Sequence, residues 1–333
     1  MNDPAFVVSA PPHIHSGYTV RRLMLASIAA MLPPLAAGFW AFGPDALRVA
    51  AIAVASAAAW DLLLQRIFGR PLSIADGSAA AYGLLFALLL PASAPWWLVC
   101  VGTLVLLLLG KHVYGGLGCN PFNGVLIAYA ALMLSYPGLM QDVPPPTAED
   151  IMTESAPLVE LKDKGPEDAE AAFPLAELLV GSRKVTGAIG EISPLAVLAG
   201  GIFLIATRTI PWIIPAAFLA GLAALSGLFR LLDPETYASP LFHLLAGGAF
   251  LSAFLIAPDW PTSPVTRAGR LVYGLLAGAL AFAIRAWSQW PEGAYFAVFL
   301  ASLLTPLLDR LRPAVFGARF TRRRPVRHRP AGL

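Results

Sequence analysis

Charged side chains are scarce in this sequence. Only 13% of its residues are Asp, Glu, Lys or Arg, whereas 57% are hydrophobic. Soluble domains carry roughly 25% charged residues, so this chain has too little charge to cover a surface that faces water. The composition excludes an ordinary soluble domain and predicts an integral membrane protein.

Cysteines and catalytic motifs are also scarce. The two cysteines, Cys100 and Cys119, are too few for an iron–sulfur cluster within the chain, which normally takes four, and they imply no disulfide framework. No Walker A loop, HExxH, CxxC or Ser–His–Asp order is present, so a conventional hydrolase or ATPase is not supported. His13 and His15 have metal-like spacing but no companion ligands, and no metal site is predicted.

Long apolar runs fill most of the sequence. A helix that crosses roughly 30 Å of hydrocarbon needs about 20 apolar residues. By that measure the sequence predicts an all-α integral membrane protein with about ten transmembrane helices. Their predicted limits are 21–41, 46–65, 77–92, 95–111, 121–137, 192–209, 211–230, 240–257, 269–287 and 293–311. The third and eighth spans are short and bounded by Gly and Pro, which predicts broken or tilted helices.

Lysine and arginine side chains predict the orientation, because short cytoplasmic loops carry them in excess. Arg21, Arg66 and Lys111 fall on one side of the membrane, together with the Arg-rich tail from Arg319 to Arg329. This pattern places both termini in the cytoplasm. The tail is typical of a topology anchor beside anionic lipid, and nucleic-acid binding is not predicted.

An acidic segment divides the chain into two halves. The predicted units are a five-helix half over 1–137, an acidic extracytoplasmic loop over 138–190, a second five-helix half over 191–318 and a basic cytoplasmic tail over 319–333. Because five is odd, two similar halves would lie in opposite orientations. The stretch from Gly77 to Pro95 resembles the stretch from Leu244 to Pro264, since both are rich in small residues and end in a Pro-rich turn. We therefore predict two inverted five-helix repeats, an arrangement that forms sites near the midplane.

The most distinctive stretch runs from Gly110 to Pro137. Gly115 and Gly116 permit positive φ and close backbone approach. Asn120 is placed to cap a helix that has Pro121 in its first turn. The free N–H groups at the start of such a helix would face an anionic or carbonyl-rich ligand. A tight turn between two packed spans explains the stretch equally well.

A second stretch, from Val185 to Gly201, opens the sixth span in a similar way. Gly187 and Gly190 loosen the backbone, and Glu191 is predicted in the first turn of an apolar helix. There Glu191 would complement the helix dipole. Alternatively, a carboxylate at the membrane edge would serve a cation path.

Two ionisable residues lie within apolar helices. A carboxylate such as Asp61 is costly deep in lipid and would mark a functional site there. Arg66 is close enough in the sequence, however, to allow Asp61 a position at the cytoplasmic interface. His243, near the start of the eighth span, is expected to be a hydrogen-bonded packing residue.

Five blocks of sequence match a known family in the family's own order. They are SAPPHIHSGYTVRRLM, DGSAAAYGLLFALLLPASAPWW, GKHVYGGLGCNPFNGVLIAYAALMLSYP, GAIGEISPLAVLAGGIFLI, and HLLAGGAFLSAFLIAPDWPTSPVTRAGRLVYGLLAGALAFAIR with WPEGAYFAVFLASLLTPLLD. The GGLGxNPFN motif before a span is specific to this family. On these residues the chain resembles the D-type membrane component of the Rnf electron-transport complex, a relative of the B-type component of the sodium-translocating NADH:quinone reductase.

The resemblance implies both a fold and a function. The fold is ten helices in two inverted halves with cytoplasmic termini. The function is electron transfer within a complex that links ferredoxin and NAD to sodium or proton movement, with Rnf subunits of the A, B, C, E and G type as partners and no complete active site in this chain. In this family one flavin mononucleotide is attached through its phosphate to a threonine of the outer loop, in an S-G-A-T-P-L type motif. A second flavin is bound without covalent attachment in the membrane part.

The outer loop departs from the family's pattern at the attachment position. The matching segment reads TESAPLVELK, which places Ala156 where the threonine should be. Alanine has no hydroxyl group, so the expected cofactor is FMN or riboflavin without standard covalent attachment. Attachment to a shifted hydroxyl would use Thr153 or Ser155. The positions expected to face flavin are Gly115, Gly116, Asn120, Asn123, Thr153, Ser155, Gly187, Gly190 and Glu191.

Other classes of function fit the same pattern. Inverted five-helix repeats around a midplane cavity also serve channels and transporters that hold no flavin, and the missing threonine strengthens that alternative. A scaffold subunit that only anchors its partners is a third alternative. The sequence leaves the coupling ion open.

Overall fold

The computed structural model describes residues 19–141, 156–183 and 185–310, and these ranges contain helices but no strands. The first half forms α1 (Val20–Phe42), α2 (Pro44–Ile67), α3 (Ser78–Leu88), α4 (Trp96–Leu107), α5 (Gly124–Ser135) and α6 (Pro137–Gln141). The acidic segment forms α7 (Pro157–Lys164), α8 (Pro166–Ala172) and α9 (Leu175–Val180). The second half forms α10 (Pro194–Ala206), α11 (Ile213–Leu232), α12 (Pro240–Leu245), α13 (Ala249–Leu251), α14 (Arg267–Trp287), α15 (Ala294–Ser302) and α16 (Thr305–Leu308).

Four helices, α1, α2, α11 and α14, are long and apolar enough to cross a membrane. Each has 20 to 24 residues, which reach across roughly 30 Å at a rise of about 1.5 Å per residue. Large apolar side chains cover their outer faces, and Leu231 keeps 83% of its surface exposed. A surface of this kind suits lipid and not water. The chain is therefore an all-α, multi-pass membrane protein, as its composition predicts.

The other predicted spans coincide with shorter or interrupted helices. α3 has 11 residues, too few to cross the hydrocarbon alone. α4 continues as a π-helical stretch, Leu108–His112, and α13 as another, Ser252–Ile256. Between α12 and α13 the chain breaks at Gly247, whose φ of 66° favours glycine. The expectation of a short third helix and a broken eighth helix is confirmed, while the count of ten spans stays a prediction.

Glycines allow helices of the two halves to pack closely. A Cβ atom on Gly200 of α10 would overlap the carbonyl oxygen of Ala30 in α1, so these helices meet backbone to backbone. Within the second half, Gly278 of α14 lies against Phe218 of α11 in the same way. Such small-residue contacts supply the van der Waals packing that holds helices together in lipid. The two halves consequently share one continuous apolar core.

The acidic segment is folded over its described part and is not a simple solvated loop. α7, α8 and α9 pack near α12 around an apolar cluster of their own. Its buried members are Leu158, Ala169, Phe173, Leu178, Val185, Ala238, Phe242 and Ala246. Glu170 accepts a hydrogen bond from the backbone N–H of Ser239 at 2.5 Å, and Lys162 donates to the carbonyl of Ser288 at 2.5 Å. These contacts anchor the segment on the second half.

Candidate functional site between the two halves

A cavity opens between the two halves beside Asp259. Its volume is about 60 Å³ when only the space open to the centre of a water molecule is counted, and about 530 Å³ when its open mouth is included. Residues from α1, α3, α10 and the π-helical stretch after α13 form its walls. The lining residues are Met24, Ser27, Met31, Ala81, Tyr82, Leu85, Leu204, Ile210, Phe254, Leu255, Pro258, Asp259 and Trp260. Because apolar and aromatic walls surround a single carboxylate, the cavity suits a flat apolar ligand with a polar edge.

Asp259 supplies the polar end of this cavity. Its carboxylate accepts hydrogen bonds from Asn123 Nδ2 at 3.3 Å and from the Thr262 hydroxyl at 3.1 Å. Since Asn123 belongs to the first half and Asp259 to the second, the bond joins the halves beside the cavity. The indole N–H of Trp260 donates to the carbonyl of Thr209 at 2.8 Å, which holds the ring in place. Sequence analysis missed Asp259 and Trp260, although an acid in the Pro-rich turn APDWP was a usable signal.

The helix after the Gly-rich turn is capped by Asn123 and not by Asn120. The Asn123 side chain accepts hydrogen bonds from two backbone N–H groups in the first turn of α5, at 2.9 and 3.3 Å. Asn120 instead donates to the carbonyl of Phe122 at 2.8 Å and closes the turn before the helix. The prediction that Asn120 is the cap, with Pro121 in the first turn, is therefore wrong. The extended backbone at Asn123 is what lets its side chain reach the free N–H groups.

Gly115 and Gly116 form the turn between α4 and α5. Their φ angles are 114° and 130°, a backbone region that disfavours residues with a Cβ atom. The turn brings Leu117 and Gly118 beside Tyr82 and Trp260, where these four residues line a second opening next to the cavity. The two glycines therefore shape the approach to the site, while neither is among the lining residues of the cavity.

Gly187, Gly190 and Glu191 lie together at the C-terminal end of α3. The N–H of Gly190 donates to the carbonyl of Leu88 at 2.8 Å, and a Cβ atom on Gly187 would meet the Glu191 carboxylate at 2.9 Å. None of the three lines the cavity beside Asp259. The structure thus separates the expected flavin-facing positions into two groups.

Glu191 is not in the first turn of a helix, so that prediction is wrong. α10 begins at Pro194, and the Ser193 hydroxyl caps it by accepting from the N–H of Ala196 at 3.3 Å. Pro at the first helical position after a Ser cap makes a strong helix start. Glu191 lies two residues before that cap, and its carboxylate bonds elsewhere, to the N–H of Ala188 at 3.1 Å.

Ala156 stands at the N-cap position of α7. Its side chain is a methyl group, and the buried Pro157 and Leu158 follow it directly. Leu158 packs against Gly247, so the start of α7 lies beside the break between α12 and α13. Thr153 and Ser155, the alternative acceptors, lie outside the described residues.

A buried ion-pair network joins α2 to the end of the α4 helix. Asp61 has no exposed surface, and its Oδ1 lies 2.9 Å from Lys111 Nζ and 2.8 Å from His112 Nε2. Its Oδ2 accepts from Gln65 Nε2 at 2.9 Å. Lys111 also donates to the hydroxyl of Ser78, the first residue of α3, at 3.0 Å. Asp61 is thus buried within the protein, and its depth in the membrane stays a prediction.

A second buried ion pair bridges the break between α12 and α13. Arg285 donates to the carbonyls of His243 and Ala246 at 2.5 and 3.1 Å, and it pairs with Glu292 at 3.2 Å. Glu292 in turn accepts from the N–H of Gly248 at 2.9 Å. The Arg285 guanidinium therefore lies at the C-terminal, negative end of α12, and the Glu292 carboxylate lies at the N-terminal, positive end of α13. Sequence analysis missed this pair, although Arg285 and Glu292 are only seven residues apart.

The histidines form no metal site in the part of the chain that the structure describes. No group of three or more His, Cys, Asp or Glu side chains is placed there to hold an ion, and His13 and His15 lie outside that part. His243 is buried and packs edge-on against Phe282 at 5.2 Å. Both of its ring nitrogens lack a hydrogen-bond partner among the described residues, so the expectation of a hydrogen-bonded histidine is wrong.

Comparison with known proteins places the chain in a family. The model of the NQR2, RnfD, RnfE family matches residues 7–317. The chain is 36% identical over 310 residues to the D component of the Na(+)-translocating ferredoxin:NAD(+) oxidoreductase complex of Acetobacterium woodii, covering 93% of this chain and 94% of that protein. It is 34% identical over 349 residues to the D component of the ion-translocating oxidoreductase complex of Escherichia fergusonii, with 94% and 99% covered. For the same component of Stutzerimonas stutzeri the identity is 36% over 331 residues, with 90% and 92% covered. The resemblance seen in the sequence is confirmed, and the chain belongs to the NQR2, RnfD, RnfE family.

Proposed function

We propose that this chain is the D-type membrane component of an Rnf-type ion-translocating oxidoreductase complex and carries electrons through a non-covalently bound flavin. Family membership, together with identity to D-type components over nearly the whole chain, supports the place in the complex. The cavity beside Asp259 is the observation that supports the flavin. In this proposal, Rnf subunits of the A, B, C, E and G type supply and accept the electrons.

The residues that line the cavity suit the isoalloxazine ring of a flavin on chemical grounds. An isoalloxazine ring has apolar faces and carries hydrogen-bonding groups along its edge. Tyr82, Phe254 and Trp260 supply aromatic walls, and Asp259 offers an acceptor for an N–H on that edge. When bound, a flavin supplies the redox chemistry, because it takes up and passes on electrons. The protein's part is to hold the ring, orient it and keep water from its faces.

Covalent attachment does not fit the outer segment. A phosphoester needs a hydroxyl oxygen, and Ala156 has none at the family's acceptor position. α7 begins at the next residue, the buried Pro157, so no side-chain hydroxyl follows directly. The cofactor we propose is FMN or riboflavin held by non-covalent contacts; flavin found covalently attached would instead indicate Thr153 or Ser155, the nearest hydroxyls in the sequence.

We also propose ten spans in two inverted repeats, with both termini in the cytoplasm and the chain in the bacterial inner membrane. A correspondence between the two buried ion-pair networks supports the repeat. Lys111, at the end of the fourth span, contacts Ser78 at the start of the third. Arg285, at the end of the ninth span, contacts the carbonyl of Ala246 beside the break in the eighth. In each half a buried cation thus links the end of the fourth span to the third span. That third span is short in the first half and broken in the second half.

The electron path between ferredoxin and NAD, coupled to Na⁺ or H⁺ movement, is extended to this chain from its Acetobacterium woodii relative, whose name states both Na⁺ translocation and these electron partners. Electron flow can move an ion only if two redox states of the cofactor favour different arrangements of the protein. The contact between Asn123 and Asp259 joins the halves beside the proposed flavin. A change in the charge of the flavin would alter the hydrogen bond between Asn123 and Asp259 and, through that bond, the arrangement of the two halves.

Flavin binding by the purified full-length chain in detergent tests this proposal. The flavin is first extracted, and the chain is then titrated with riboflavin or FMN while flavin fluorescence is followed. Asp259→Asn and Trp260→Leu are each expected to weaken binding about tenfold or more, which corresponds to about 1.4 kcal/mol. The matched controls, Asp45→Asn and Trp212→Leu, change exposed residues outside the cavity and are expected to bind as the unaltered chain does.

The possible outcomes separate the competing functions. Weakened binding confined to the two cavity variants supports the proposed site. Equal binding by all four variants would place the flavin elsewhere in the chain. No binding by the unaltered chain would remove the electron-carrying role and favour a flavin-free transport or scaffold function.

A further inference from the structure

Glu191 carries a carboxylate that no cation neutralises among the described residues. Its Oε1 accepts a hydrogen bond from the Tyr295 hydroxyl at 2.6 Å, and its Oε2 accepts from the N–H of Ala188 at 3.1 Å. Both donors are neutral. The five ion pairs found in the described ranges all involve other carboxylates. This carboxylate therefore differs from those of Asp61 and Glu292, which pair with Lys111 and Arg285.

The surroundings of Glu191 make an unpaired charge costly. Apolar Leu88 and Leu251 pack beside the neighbouring Gly190. Tyr295 is buried, and the ring of the buried Tyr129 lies edge-on against it at 4.9 Å. A charge in such an environment is expensive unless it is paired or neutralised.

The charged groups that act on Glu191 from the elements around it are Glu292, in the loop between α14 and α15, and Arg285, in α14. These two are paired with each other at 3.2 Å, so the positive charge of Arg285 already balances the negative charge of Glu292. The titratable groups that face Glu191 are Tyr295 of α15 and, behind it, Tyr129 of α5.

We propose that Glu191 is a proton-binding site of this chain. In one state the carboxylate accepts from the Tyr295 hydroxyl. In the other the carboxyl group has taken one proton from water, is neutral, and no longer needs that donor. Glu191 as a residue is half-buried and is not among the fully buried residues of the core. The inference rests on the proposed function for its biological meaning, because a membrane component that moves protons needs a group that binds them.

A proton suits this site better than a metal cation. Ions such as Ca²⁺ and Mg²⁺ take about six or more oxygen ligands, and Na⁺ likewise needs several. The two recorded partners of Glu191 are an O–H and an N–H that donate to it, so they offer no oxygen ligand in this arrangement. One carboxylate is sufficient for a proton.

Proton binding at Glu191 would change the hydrogen bond of Tyr295, which lies beside the break between α12 and α13. A Cβ atom on Gly248 would overlap the Tyr295 hydroxyl, so that hydroxyl lies directly against the start of α13. The N–H of the same glycine donates to Glu292 at 2.9 Å. When Glu191 binds a proton, the hydrogen bond of the Tyr295 hydroxyl changes beside the place where Arg285 and Glu292 hold α12 and α13 together. Tyr295 is therefore a positioning residue.

Labelling with dicyclohexylcarbodiimide tests the proposal, because this apolar reagent reacts with protonated carboxyl groups and not with carboxylates. The purified complex is labelled across a range of pH, and the modified residue is located by mass spectrometry. We expect a label on Glu191 that is lost as pH rises, retained in Glu191→Asp and absent from Glu191→Gln. Asp61, whose carboxylate lies 2.9 Å from Lys111 Nζ, is the internal control and is expected to stay unlabelled.

Tyr295→Phe separates proton binding from a purely structural role. The lost hydroxyl no longer stabilises the carboxylate, so the midpoint of labelling should move to higher pH by about one unit. A midpoint that does not move, or a Glu191 that remains unlabelled at every pH, would overturn the proposal. Flavin content is measured on the same unaltered complex that is labelled. Bound flavin together with an unlabelled Glu191 at every pH would refute this inference alone, whereas a flavin-free unaltered complex would refute the proposed function.

Discussion

At the scale of single residues, the molecule buries charges in pairs that spacing in the sequence does not reveal. Asp61 and Lys111 are 50 positions apart, and they meet only because α2 packs against the helix that carries Lys111. From the sequence, Asp61 was predicted to mark an unusual position, because it is a carboxylate within an apolar helix. Its partners could not be predicted, since the choice among distant lysines and histidines depends on how the helices pack. The pairing explains why lipid-facing helices tolerate this charge.

Removing the ammonium group should expose the energetic role of this pair. Lys111→Met is expected to lower the free energy of unfolding by about 3–5 kcal/mol, because it leaves a buried carboxylate without its strongest partner. The measurement is SDS titration in detergent micelles, followed by circular dichroism. Arg48→Met is the matched control; its partner Asp45 is 59% exposed, and surface pairs contribute about 0–1 kcal/mol.

A double variant checks the cause of that loss. Asp61→Asn combined with Lys111→Met removes both charges and is expected to recover most of the lost stability, as replacement of whole buried pairs generally does. A double variant as unstable as Lys111→Met alone would show that packing, and not the unpaired charge, is responsible.

At the scale of helices, the apolar runs of the sequence predict where a helix lies more accurately than they predict the residue at which it begins. Each predicted span coincides with one helix or with a pair of short helices. The start of α5 was predicted wrongly because Asn120 and Asn123 are both able to cap it, and the start of α10 because Glu191 was placed in a first turn that begins only at Pro194. Asn120 and Asn123 have the same side chain, and only the local backbone conformation selects the one that reaches the free N–H groups.

The cap of α5 can be tested with two matched substitutions. Asn123→Ala removes the cap and the contact with Asp259, and it is expected to cost about 0.5–2 kcal/mol of stability. Asn120→Ala loses only the bond to the carbonyl of Phe122 and should cost less in the same titration. The reverse order would restore Asn120 as the cap.

The contact between α1 and α10 depends on the absence of a side chain at Gly200. Gly200→Ala places a methyl group on the carbonyl oxygen of Ala30 and is expected to cost about 1–3 kcal/mol through overpacking. Gly138→Ala in α6 is the control, since no atom lies within 4 Å of the added Cβ there. Equal stability of the two variants would mean that α1 and α10 are not in backbone contact.

At the scale of the whole molecule, the site depends on how the two halves close against each other. Sequence analysis expected two Gly-rich stretches to face one ligand. The structure instead sets Asn123 beside the cavity and Glu191 at the C-terminal end of α3. Asp259 and Trp260 complete the cavity from the second half, and no local pattern in the sequence could show which turns meet. The membrane class was predictable from composition alone, whereas the cavity required the tertiary arrangement.

The central claim is that this chain carries flavin without covalent attachment. Acid precipitation of the purified chain, with flavin measured in the supernatant and in the protein pellet, tests it most directly. We predict stoichiometric flavin in the supernatant and none in the pellet, with a non-fluorescent band on a denaturing gel, because Ala156 offers no hydroxyl. Flavin retained in the pellet would contradict the claim of non-covalent binding, and flavin absent from both fractions would contradict the electron-carrying role.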